Sequence, residues 1–147
     1  MKKYFILFFI IITSMSASEL FDKICKKTIL SENQSLIAVY FQPATCVKCY
    51  IEPLMLIDKV SYEVDKDKFK IVGLVRCDRD IEMKVFKKQI KWTHQLYRDN
   101  GNARKELGAT SDAILSVFSS NGTKSLHIRS GNNKDNVGSI VNFINNN

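Results

Sequence analysis

Residues 36–41 read Leu-Ile-Ala-Val-Tyr-Phe, six apolar side chains in a row with no polar face among them. A strand of that kind must be covered on both sides, which places it at the centre of a sheet with helices above and below. Pro43 ends the run, and from residue 49 to about 61 Tyr50, Leu54, Ile57 and Val60 recur at helical spacing. Pro53 falls a few residues into that helix, where it either bends it or marks its true beginning.

The remaining patterns extend this core. Leu20, Phe21, Ile24, Cys25 and Thr28 predict an amphipathic helix over 18–30, broken by the polar stretch 31–34. After a solvated turn at 65–68, residues 69–75 (FKIVGLV) predict a second buried strand. A helix is expected over 81–90, with Asp78 or Asp80 as its cap and Met83, Phe86 and Ile90 as its stripe. Residues 92–97 alternate like a short strand, 99–101 read as a turn, and 102–107 as a short helix with Asn102 as N-cap and Gly108 at C′. Strands 113–118 and 123–129 flank an Asn-Gly hairpin signal at 121–122. Val137, Ile140, Val141 and Ile144 give a terminal amphipathic helix, with the tail asparagines outside it. Strands separated by helices imply right-handed parallel crossovers, and the closing hairpin adds antiparallel strands. The expected architecture is α/β, a mixed central sheet with helices on both faces. The aromatics of the chain body, Phe21, Phe41, Phe69, Phe86, Trp92, Phe118 and Phe143, read as packing residues.

The first 17 residues follow a different rule. Met1-Lys2-Lys3 is a short positive start, residues 4–12 (YFILFFIII) are unbroken apolar sequence, and Thr13, Ser14, Ser16 and Ala17 are small. That is the build of a secretory signal peptide, with cleavage after Ser16 or Ala17, and the run is well short of the ~20 residues of a membrane-spanning helix. The expectation is a leader at 1–17 and one domain at 18–147, periplasmic or secreted, monomeric, with no lasting membrane insertion. Among 147 residues, 22 basic against 15 acidic side chains give +7, and loss of Lys2 and Lys3 with the leader leaves +5. No basic run or interleaving of aromatic and basic residues accompanies this charge, so a nucleic-acid partner is not expected.

Export permits disulfides, and four cysteines (Cys25, Cys46, Cys49, Cys77) are an even set. A chain body of this size has a core large enough to stand without staples, so chemistry is the better reading for at least one pair. Cys46-Val47-Lys48-Cys49 stands directly after the buried strand and opens the next helix. Unpaired N–H groups and the macrodipole at a helix start stabilise a thiolate, taking its pKa below the free value of ~8.5. Lys48 adds a cation in the same direction. Cys46 is expected to be the exposed nucleophile and Cys49 the thiol that resolves the mixed disulfide. The same spacing is half of a zinc site, but no second such pair exists, and His94 and His127 are isolated and read as strand side chains rather than ligands.

These residues resemble the thioredoxin superfamily, in particular exported redoxin-type proteins of the TlpA-like branch. The resemblance is carried by VYFQPATCVKCYIEPL (39–54), FKIVGLVRCDRDIEMKVFKKQ (69–89) and ARKELGATSDAILSVFSSNGT (103–123). It covers about residues 20–144 and implies the three-layer thioredoxin-like fold. Residues 81–97 are similar to the extra helix and strand that this branch inserts. The activity implied is thiol:disulfide exchange with protein partners and a redox partner protein, with no cofactor beyond the Cys46–Cys49 disulfide. Glu52 matches an acidic position common in the branch.

Three positions depart from the family's pattern. Thr45 stands where an aromatic residue usually precedes the first cysteine. Ala113 stands where the family carries a cis-proline; a cis bond before a non-proline costs ~2.5–4 kcal/mol, so Ala113 is expected to be trans and the loop facing the cysteines reshaped. Tyr40 replaces a buried carboxylate, leaving Asp112 or Glu52 as candidates for its proton-shuttling role. Because the proline also keeps metals off the thiols, its absence supports the first alternative, a copper or zinc carrier on Cys46 and Cys49. A second alternative is a peroxiredoxin-like peroxidase, though Thr45 is adjacent to Cys46 rather than three residues before it. In this fold Cys77 falls on the functional edge, as a buried unpaired thiol, a third redox thiol, or a partner of Cys25.

Overall fold

The computed structural model describes residues 18–43, 50–131 and 133–147. The expected leader at 1–17, and Thr45, Cys46, Lys48 and Cys49, fall outside the described residues.

The described elements run α1 (Glu19–Thr28), β1 (Ser35–Phe41), α2 (Ile51–Glu63), β2 (Phe69–Arg76), α3 (Asp80–Gln89), β3 (Gln95–Asp99), α4 (Ala103–Glu106), β4 (Ala113–Phe118), β5 (Ser125–Arg129) and α5 (Asn133–Asn145). The strands form one sheet in the order β3-β2-β1-β4-β5. β1 is central, as its unbroken apolar run requires, and every one of its residues is buried. It pairs in parallel with β2, from Ser35↔Phe69 to Phe41↔Val75, and antiparallel with β4. β3 extends the sheet parallel to β2, and β5 closes it antiparallel to β4. This is the mixed sheet expected from the pattern of crossovers and closing hairpin.

Alternation along β1 sorts the core into two halves. Ile37, Val39 and Phe41 face α2, α3 and α5, meeting Leu56, Val60, Phe86 and Ile140. Leu36, Ala38 and Tyr40 face the other way, onto Phe21 and Ile24 of α1 and Ala103 and Leu107 at α4. A period of two in the strand and 3.6 in the helices makes three layers the only arrangement that buries both stripes. Pro53 is the third residue of α2, in the first turn, where a helix has no use for its missing N–H.

Several local expectations are corrected. β3 begins at Gln95, not at residue 92, because Trp92 is drawn into the core and its indole N–H donates to the Gln95 carbonyl at 3.2 Å. The strand runs on through Asp99, and His94 lies before it in a bend, its ring edge-on to Trp92 at 5.1 Å. The cap residue of α3 is Arg79, between the two aspartates named from sequence. Glu82 reaches back from the first turn to accept the Asp78 and Arg79 N–H groups, at 3.1 and 3.4 Å. Asn102 does cap α4 by position, but its side chain makes no cap bond; Asp99 supplies it, accepting from Ala103 N at 3.0 Å and Gly101 N at 2.7 Å. Those bonds explain how a carboxylate at a strand's end is buried. The hairpin loop is longer than Asn-Gly alone. β5 starts at Ser125, with Asn121 accepting from the Thr123 N–H and Gly122 at φ +70°. α5 takes in Asn145, while Asn146 and Asn147 lie outside it as expected.

Candidate active site

Parallel pairing sends the ends of β1 and β2 to one edge of the sheet, and antiparallel pairing brings the start of β4 and the end of β5 to that same edge. Residues 44–49 join Pro43, just past the end of β1, to Tyr50 at the head of α2. The cysteine-bearing hexapeptide is thus tethered at the centre of the sheet on one side and at a helix N-terminus on the other. Tyr50 is the cap residue and makes no side-chain cap bond. Its ring instead packs edge-on against Phe86, with centroids 5.8 Å apart.

Glu52 is the acidic residue in the first turn of α2. Its carboxylate accepts from the Ser130 hydroxyl at 2.6 Å and from the Gly131 N–H at 2.8 Å. Both oxygens are engaged in tying α2 to the turn between β5 and α5. These bonds give Glu52 an anchoring role. Asp112 pairs with Arg129 at 3.4 Å on an exposed surface. A hydrogen bond from the Thr110 side chain holds its carboxyl below the usual range.

Ala113 is fully buried, and every described peptide bond is trans, as the missing proline led us to expect. The register shifts between Ala113 and Leu115, a bulge that turns Ala113 onto the α1/α4 face. Its carbonyl accepts from Arg104 Nε at 2.8 Å, and the same guanidinium lies 4.7 Å from the centre of the Tyr40 ring. Tyr40, 3% exposed, shares a 2.9 Å hydrogen bond with Ser116 Oγ, which in turn meets His127 Nδ1 at 2.7 Å. At the position where Tyr40 stands in place of a carboxylate, the sheet carries a phenol, a hydroxyl and an imidazole beneath an arginine. Burial pushes the Tyr40 phenol up to about 12. Sequence reasoning missed Arg104, because a short helix reading Ala-Arg-Lys-Glu gives no sign that one of its charges turns inward.

Cys77 follows β2 on the site's edge and packs, half-buried, against the α2/α3 side of the core. Desolvation, and then the charge of Glu82, push its thiol upward. Cys25 packs on the opposite face, and its thiol is raised to about 11 by burial first and Asp22 second. Both are free. The sheet stands between them, which removes the Cys25–Cys77 bond from the readings of this pair. Among the described residues no group of three or more His, Cys, Asp or Glu side chains is placed to hold a metal. None of their helices is long and apolar enough to cross a membrane.

Comparison with solved structures shows the fold. A thioredoxin-related protein from Neisseria meningitidis serogroup B is 18% identical, with 80% of this chain and 89% of that chain covered and a TM-score of 0.58. The thioredoxin domain of a thiol-disulfide oxidoreductase from Bacteroides vulgatus is 15% identical over 77% of this chain and 81% of that one, with a TM-score of 0.57. A thiol:disulfide interchange protein of the thioredoxin family from Chlorobium tepidum gives 17% identity, 77% and 81% coverage, and a TM-score of 0.54. The chain has the thioredoxin-like fold seen in those structures. No family model and no curated protein sequence matches it.

Proposed function

We propose that this protein is an exported thiol:disulfide oxidoreductase, with Cys46 as nucleophile and Cys49 as resolving thiol. What supports the reading is the sequence position of residues 44–49, linking Pro43 after the central strand to Tyr50 at the head of α2, on a fold whose solved neighbours include thiol:disulfide oxidoreductases. The dipole of a 13-residue helix and the Lys48 cation both favour a thiolate in this segment. The Cys46 thiolate attacks a partner disulfide; one partner sulfur leaves as a thiolate and takes up a proton, and a mixed disulfide forms. The Cys49 thiolate then attacks the Cys46 sulfur, releasing the partner's second thiol. Two electrons pass to the partner, and the chain keeps the Cys46–Cys49 disulfide. The reverse sequence oxidises a dithiol partner. The leader at 1–17 and the exported setting belong to this proposal.

Reduction of insulin disulfides by the reduced protein is the direct test. Activity is expected from the native sequence and none from Cys46→Ser, while Cys49→Ser should trap a mixed disulfide. If both thiols react with iodoacetamide across a pH series like free cysteine, and no mixed disulfide is trapped, the reading is wrong. The potential of the couple sets direction, a value near ~−270 mV making it a reductant and one near ~−120 mV an oxidant.

A further inference from the structure

α3 presents a face that the fold does not use. Ile81 and Val85, one turn apart, are 57% and 58% exposed, whereas Phe86 on the other side of the helix is buried in the core. Lys84, Lys88 and Lys91 stand beside them, and together with the edge of Trp92 they enclose an open groove of about 620 Å³. Lys87 belongs to the same rim. Among the described residues none of these four lysines is paired with a carboxylate, the ion pairs of this region being Arg79–Glu82 and Arg98–Asp80. Ile81 and Val85 also line a second groove of about 370 Å³, whose mainly apolar walls include Pro43 and Phe86, with Arg79, Glu82 and Gln89 at its polar positions. Pro43 is the last described residue before the segment that carries Cys46 and Cys49. The apolar ridge of Ile81 and Val85 thus runs from a cationic rim to Pro43, just past the end of β1.

We propose that this face of α3 docks the partner polypeptide, and that the partner segment it fits is acidic with apolar anchors. The identification of the docked chain as a redox substrate rests on the thiol-exchange reading above. Two concave apolar grooves suit Leu- or Phe-sized side chains, and four unpaired ammonium groups around one of them call for carboxylates on the same segment. A flat lipid surface would leave the grooves unfilled, so the observations favour a peptide over an anionic membrane. The geometry gives Ile81 and Val85 the anchoring role and Lys84, Lys88 and Lys91 that of selecting by charge; none of them touches the reacting sulfurs.

The test uses the full chain and a fluorescein-labelled, cysteine-free peptide in which Leu and Phe are interspersed with Glu, beside a counterpart with Lys for Glu. Fluorescence anisotropy at low salt should show the acidic peptide binding at least about tenfold more tightly than the basic one, with the margin shrinking as salt rises. The Lys84→Glu/Lys88→Glu and Ile81→Ser/Val85→Ser double variants, all at exposed positions, should each lose about tenfold or more of that affinity. With a disulfide built into the acidic peptide, the charge-reversed variant should exchange more slowly than the native chain, yet match it on oxidised glutathione. Equal binding of the two peptides, unchanged affinity in both variants, or lysine-dependent binding to phosphatidylglycerol vesicles in place of peptide would overturn the proposal. Because the anisotropy probe carries no sulfur, it reads the surface even if Cys46 proves inert; Cys46→Ser should leave peptide affinity intact while abolishing exchange.

Discussion

Replacing Phe41 by alanine is the sharpest test of how the sheet supports the candidate site. Phe41 closes β1, is 1% exposed, and stacks at an angle on Phe86 at 5.2 Å and edge-on to Trp92 at 5.1 Å. Truncating a buried phenylalanine costs about 3–5 kcal/mol, from lost transfer energy and the cavity left behind. Each aromatic pair contributes about 0.5–1.5 kcal/mol beyond area. The neighbours cannot close the gap, because Phe86 and Trp92 are themselves held by α3 and the chain before β3. We therefore expect a loss near 4 kcal/mol, a large share of the 5–15 kcal/mol typical of a domain. With a urea slope of about 1.5 kcal/mol per molar, the midpoint should fall by about 2.5 M. Far-UV circular dichroism in urea gives both midpoint and slope, and Phe41→Leu should lose only about 1–2 kcal/mol. A cycle with Phe86→Leu should return a coupling of about 0.5–1.5 kcal/mol. A loss below about 2 kcal/mol at unchanged slope would refute the claim that this ring is pinned.

Other expectations follow from single contacts. A Cβ on Gly73 would run into Leu96 Cδ2 and come within 3.0 Å of Phe41 Cε2, so Gly73→Ala should cost about 1–3 kcal/mol in urea. Pairing it with Phe41→Leu should recover part of that cost; simple additivity would count against the crowding. Stability should also fall in alkali. Cys25 and Tyr40 have folded-state pKa values raised to about 11 and about 12, from 9.0 and 10.0. Their contributions are full below the unfolded values and vanish as pH rises through the folded ones, because the native state holds the proton longer. Urea midpoints should decline from about pH 9, with Cys25→Ala flattening the curve between 9 and 11 and Tyr40→Phe between 10 and 12. An unaltered decline in both variants would remove these groups as its source. Glu52→Gln should loosen the tie to Gly131 by about 1 kcal/mol and speed hydrogen exchange at its amide about fivefold; unchanged protection there would reduce the contact to coincidence.

How much was legible in advance depended on the range of the forces involved. β1, α2 and α5 could be read because burial imposes a period on neighbouring residues, and the run at 36–41 by itself dictates a central strand. The limits of β3 could not be read, since Trp92 alternates like a strand residue but is held by an indole bond and by packing in the core. Asn102 was read correctly as the cap position of α4, but the side chain that bonds the helix start was not foreseen: Asp99 accepts from the open N–H groups. The site's edge was foreseeable from strand order, whereas its ties were not. Glu52 meets residues 78 and 79 positions away, and Arg104 turns onto Tyr40 across the sheet's underside. No local pattern encodes either contact. The cysteine segment itself was conspicuous in sequence because helix-start chemistry depends only on adjacent residues.

Trp92 is the single tryptophan of the chain. It touches Phe41 at the end of the central strand, His94 in the bend and the wall of the lysine-rimmed groove. One indole therefore stands where the core, the groove and the end of the central strand meet. Its emission is an intrinsic optical gauge: occupation of the groove, protonation of the neighbouring imidazole and loosening of the core should each leave a separate signature, with no dye attached.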